Sequence, residues 1–136
     1  MVFYGKINSR YIGRRWRIGP CFIFHKSMQS KLSRFFRWSQ LETLSLDYNS
    51  INIVPESIGN LRSLKKLFLI GNKLKTLPVS IGELSSLQVL FLGSNNLEML
   101  PDSFDNLKLL KEVFLKPNPL KNIPRSLRRL KSFIEL

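Results

Sequence analysis

The frame Leu-x-x-Leu-x-Leu-x-x-Asn-x-Leu-x-x-Leu-Pro recurs every 23 residues in this chain, and nothing else in the sequence constrains the fold as tightly. It runs through Leu41, Leu44, Leu46, Asn49, Ile51, Val54 and Pro55, then through Leu64, Leu67, Leu69, Asn72, Leu74, Leu77 and Pro78. It returns at Leu87, Leu90, Leu92, Asn95, Leu97, Leu100 and Pro101, and again at Leu110, Val113, Leu115, Asn118, Leu120, Ile123 and Pro124. One such segment is too short to bury its own apolar side. Copies at a fixed period therefore stack as coils of a solenoid and share one interior. The full repeats occupy 41–63, 64–86, 87–109 and 110–132, and an incomplete fifth opens at Phe133.

Within each repeat the Leu-x-Leu alternation predicts a short strand with Leu44 and Leu46 inward and Ser45 outward. Successive coils run the same way, so these strands lie parallel. On the other side of the coil, apolar pairs three apart (Ile58/Leu61, Ile81/Leu84, Phe104/Leu107, Leu127/Leu130) predict a 3-10 or short helical turn. Pro55, Pro78, Pro101 and Pro124 end the extended stretch, and Ser57, Ser80, Ser103 and Ser126 are expected to cap the turns. Asn49, Asn72, Asn95 and Asn118 stand where the chain leaves the strand. Each offers an acceptor and a donor, so the column is expected to form a structural ladder that pairs turn backbone groups from coil to coil.

The side chains between the leucines come out in rows. The middle row is Ser45, Phe68, Phe91 and Phe114, an aromatic stripe across neighbouring strands. On one flank stand Thr43, Lys66, Val89, Glu112 and Glu135, and on the other Asp47, Ile70, Gly93 and Lys116. Exposed aromatic and aliphatic groups in one patch mark a partner site, although the same rings also stiffen a sheet by stacking. The expected partner-binding set is Phe68, Phe91, Phe114, Lys66, Val89, Ile70, Glu112 and Lys116.

Residues 1–40 show no trace of the period. They hold nine basic residues and no acidic one, together with nine of the fifteen aromatics. Residues 28–39 place Leu32, Phe35 and Phe36 on one face of a possible helix and Lys31, Arg34 and Arg37 on another, as an end-cap of a solenoid requires. The competing expectation is a basic extension that does not pack. The formal net charge of +13 belongs mainly to this segment and to 110–132, whereas 41–63 and 87–109 are net acidic. Basic residues interleaved with aromatics at the ends keep an anionic membrane or nucleic acid as an alternative partner.

The repeats resemble the leucine-rich-repeat family, in its 23-residue class found in Ras-associated intracellular proteins and in many bacterial repeat proteins. The tails Ile58-Gly59-Asn60-Leu61 and Ile81-Gly82-Glu83-Leu84 carry the likeness, as does Asn118-Pro119-Leu120 followed by Ile123-Pro124. The resemblance covers 41–136. It implies an α/β solenoid with a short parallel sheet on the concave side, irregular or 3-10 structure on the convex side, and a role in recognising a protein. Four full repeats with no recognisable C-terminal cap read as a truncated array, a fragment, or a chain that self-associates through open repeat ends.

Catalysis finds little footing. His25 is the lone histidine and Cys21 the lone cysteine, no metal-ligating cluster occurs, and no glycine-rich phosphate loop is present. Neither an enzyme nor a cofactor is expected. A single cysteine and the lack of any Asn-x-Ser/Thr site fit an intracellular, cytoplasmic protein or a bacterial one.

Overall fold

A computed structural model describes residues 21–23, 40–124, 126–130 and 132–134. Six three-residue strands make one parallel sheet in chain order: β1 (Cys21–Ile23), β2 (Thr43–Ser45), β3 (Lys66–Phe68), β4 (Val89–Phe91), β5 (Glu112–Phe114) and β6 (Ser132–Ile134). From β2 to β5 the register is the repeat itself, with Leu44 beside Leu67, Leu90 and Val113. Hydrogen bonds continue past the strands, where the N–H groups of Leu46, Leu69 and Leu92 donate to the carbonyls of Phe68, Phe91 and Phe114, each at 2.8 Å.

The repeat leucines fill one continuous core. Leu67, Leu69, Leu90 and Leu92 are fully buried, as are Ile58, Leu61, Ile81 and Leu84 from the opposite wall. Each such side chain contributes about 1.5–3 kcal/mol on leaving water. No coil retains a core without its neighbours, because the leucines of one coil pack on those of the next.

The opposite wall consists of 3-10 turns at Glu56–Asn60, Val79–Glu83, Asp102–Asn106 and Leu127–Arg129. Here the expectation about the serines is corrected. Pro55, Pro78 and Pro101 occupy the N-cap positions of the first three turns, while Ser57, Ser80 and Ser103 lie one residue inside them. Ser126 does stand at an N-cap, yet its side chain makes no capping bond. Among the described residues, the hydroxyls of Ser57, Ser103 and Ser126 are buried without a hydrogen-bond partner. The serines instead serve as small residues. A Cβ on Gly59 would stand 2.9 Å from Ser80 Cβ, and one on Gly82 would stand 2.7 Å from Ser103 Cβ, so a glycine of one turn accepts the serine of the next.

Two features depart from the expected boundaries. Strand β1 lies within the segment set apart as 1–40 and pairs with β2, Cys21 beside Thr43, only 22 residues away. The sheet thus begins one strand earlier than the leucine frame. At the other end β6 follows β5 by 20 residues, and the last 3-10 turn has three residues where the others have five. Phe133 therefore lies beside Val113 and not in the place equivalent to Leu110. The possible capping helix at 28–39 lies outside the described residues.

Candidate functional site on the concave sheet

Strand alternation alone positions this face. In β3 and β5 an exposed residue, a buried one and a half-buried phenylalanine follow one another, and β4 has the same form with half-buried Val89 leading. Leu67, Leu90 and Val113 point into the core, so Phe68, Phe91 and Phe114 all emerge on the other side.

The three rings touch in sequence. Phe68 and Phe91 meet edge to face, with centroids 5.3 Å apart and planes at 84°. Phe91 and Phe114 are 5.9 Å apart and tilted by 59°. Such pairs contribute about 0.5–1.5 kcal/mol beyond area burial, because the positive edge of one ring approaches the negative face of the next. Stacking and exposure coexist here: each ring covers part of its neighbour and leaves the rest open to solvent. Val89 and Ile70 are also half-buried and extend the apolar surface on either side.

Charges border the stripe unequally. Lys66 and Glu112 are exposed on one flank and Lys116 on the other, and none of the three has an ion-pair partner among the described residues. Asp47 differs. Its Oδ1 accepts the Ile70 N–H at 2.7 Å, and the Ser45 hydroxyl lies 3.5 Å from Oδ2. Burial pushes the Asp47 carboxyl above its ordinary value, opposed by the Ile70 and Ser45 hydrogen bonds. This acid is a backbone tie between coils and is spoken for. At the strand entrance Lys65 pairs with Glu42 at 2.7 Å, and in the turn beyond the sheet Lys121 pairs with Glu98 at 2.8 Å.

The asparagine column lies behind the exit from each strand. Asn72 Oδ1 accepts the Ile51 N–H at 3.0 Å, and its Nδ2 donates to the carbonyls of Leu46 and Leu69, both at 3.0 Å. Asn95 repeats this with Leu74 N–H, Leu69 and Leu92, and Asn118 with Leu97 N–H, Leu92 and Leu115. Asn49 Nδ2 donates to Leu46 and Asp47 within its own coil. Asn72, Asn95 and Asn118 therefore each bridge to the coil before them.

The residue preceding each of the first three asparagines went unnoticed in the sequence. Tyr48, Gly71 and Ser94 all have positive φ, at 53°, 68° and 54°, which turns the chain sharply off the sheet. Gly71 in the repeat was the available signal, since glycine takes this conformation without strain. Tyr48 is largely exposed, and its ring lies across Gly71, where a Cβ would stand 2.6 Å from Tyr48 Cδ1. The aromatic surface thus reaches the rim of β2 as well as the stripe.

Among the described residues, no three His, Cys, Asp or Glu side chains converge as a metal site, and no helix is long and apolar enough to cross a membrane. His25 lies outside the described residues. A sequence model of the leucine-rich repeat region matches residues 17–136. In structure the chain is similar to a leucine-rich-repeat protein of Leptospira interrogans, with a TM-score of 0.69 and 35% identity over 76% of this chain. That likeness spans only 26% of the Leptospira protein. Among curated proteins, none matches.

Proposed function

The chain belongs to the leucine-rich-repeat family, and on that premise we propose that its concave face binds a protein, with Phe91 at the centre of the contact. Proteins of this family serve generally as interaction modules. The observation that carries the finer reading is the run of three touching, half-exposed phenylalanines on one sheet face. Aromatic side chains are favoured anchors because they bury a large area with few rotors to immobilise. Rings held by their neighbours lose even less freedom on binding.

A polyanion reading has less support. Lys121, in the basic last repeat, is already paired with Glu98.

Capture of binding proteins from an extract of the source cells tests the proposal, using the full chain, Phe91→Ala, and Met99→Ala as an exposed control away from the strands. Proteins retained by the wild type and by Met99→Ala should be lost with Phe91→Ala. Phe91→Ala also loses two ring contacts, about 1–3 kcal/mol together, so capture is run well below its melting point. Equal retention by folded Phe91→Ala would overturn the proposal.

A further inference from the structure

The geometry points to an acidic, extended peptide segment as the partner's contact, lying diagonally across the sheet from Lys66 over Phe91 to Lys116. This deepens the reading of the concave face and rests on it. In the pairing register, Lys66 is two residues before Phe68 on β3, Phe91 sits in the middle row of β4, and Lys116 is two residues beyond Phe114 on β5. The three residues therefore lie on one diagonal, with the central ring midway between two exposed lysines.

The charge state of this face selects the sign of the partner. Both lysines lack an ion-pair partner among the described residues, whereas Asp47, an acid on the same face, is held by the Ile70 N–H and the Ser45 hydroxyl. Among the described residues, Glu112 is the remaining exposed acid of the sheet face, and it lies off the diagonal, beside Val89. The opposite diagonal, from Ile70 over Phe91 to Glu112, presents one charge instead of two. The chain's net charge of +13 also steers acidic ligands toward it from a distance.

Spacing then sets the form of the segment. Two strand intervals across and four residues along place the lysine Cα atoms about 16 Å apart. Alternation puts residues i, i+2 and i+4 of an extended peptide on one face over about 13 Å, so two acidic residues four apart, with an apolar residue midway, meet the Phe91 ring and, through the flexible lysine stems, both ammonium groups. The contact is a pair of charge-assisted hydrogen bonds bracketing an apolar anchor.

The test is selection of a phage-displayed library of random twelve-residue peptides on the immobilised full chain, followed by fluorescence-anisotropy titration of the most enriched peptide. Selected peptides should carry two acidic residues four apart with an apolar one midway between them. Their affinity should fall at least about tenfold in the double variant K66E/K116E and stay unchanged in K73E/K75E, where exposed lysines off the sheet are reversed. Selection of no peptide, or of peptides without the acidic pair, overturns the inference, and so does equal weakening by K73E/K75E, the mark of unspecific attraction by the whole chain. If K66E/K116E has no effect while Phe91→Ala abolishes binding, the acidic partner is wrong and the concave site stands. If Phe91→Ala has no effect either, the site itself is wrong.

Discussion

Phe114 lies over Gly93: a Cβ placed on Gly93 would stand 2.5 Å from Phe114 Cε1 and would also meet the carbonyl of Lys116. The missing side chain on β4's exit is therefore what lets the third ring lean along the sheet. Gly93→Ala should destabilise the protein by about 1–3 kcal/mol, as overpacking does. It should also move Phe114, seen as a changed near-ultraviolet circular dichroism spectrum of the folded state. Unaltered melting and spectrum would refute the notch.

Asn95 holds two coils at once, accepting from Leu74 N–H and donating to Leu69 and Leu92. Asn95→Leu leaves the buried Leu74 N–H unpaired, at a cost of about 1–3 kcal/mol, and takes one of two donors from the carbonyls of Leu69 and Leu92, which keep Asn72 and Asn118. Urea denaturation should show a large loss of stability for Asn95→Leu, while Asn52→Leu, at an exposed position, should change little. A near-wild-type midpoint for Asn95→Leu would show the ladder to be dispensable.

The convex wall depends on contact between small residues. An added methyl group at Gly82 meets both the backbone and the side chain of Ser103, so Gly82→Ala must push two 3-10 turns apart. The expected cost is again about 1–3 kcal/mol. Asp105, at the equivalent place one coil later, is exposed, and Asp105→Ala should stay within about 0.5 kcal/mol of wild type in the same thermal melts.

Asp47 gives stability a pH dependence of defined sign. Its folded-state pKa is raised, chiefly by burial and against the pull of the Ile70 and Ser45 hydrogen bonds. The folded state therefore holds this proton more tightly than the unfolded state. The associated stability is present below the ordinary carboxylate range and is lost as pH rises through the raised value. Asp47→Asn removes the charge and keeps an acceptor for the Ile70 N–H. Its melting temperature should exceed that of wild type at pH 7, with the gap closing on acidification. A constant gap across that range would remove Asp47 as the cause.

The solenoid and its parallel sheet were legible because the leucine period is long, strict and fourfold. Only one chain path buries all those residues together, so Leu44, Leu67, Leu90 and Val113 had to line up, and the intervening Phe68, Phe91 and Phe114 had to emerge on the opposite face. The asparagine column was legible for the same reason, since one donor and one acceptor recurred at each exit from a strand.

Other features needed coordinates. The serines resembled caps in the linear order, but at three of the four turns a proline takes the cap, and Ser80 and Ser103 pack on glycines of the preceding turn. Cys21–Ile23 carries no leucine frame, yet its backbone extends the sheet, because parallel pairing requires N–H and C=O groups rather than a particular side chain. Asp47 and Lys116 share one row in the sequence, and only packing separates a carboxylate already committed to Ile70 from an ammonium open to solvent. The sequence by itself determined which residues are buried, through a period that admits one interior. The tertiary structure decided which exposed groups remain free, since that depends on hydrogen bonds and ring contacts between coils that no single repeat contains.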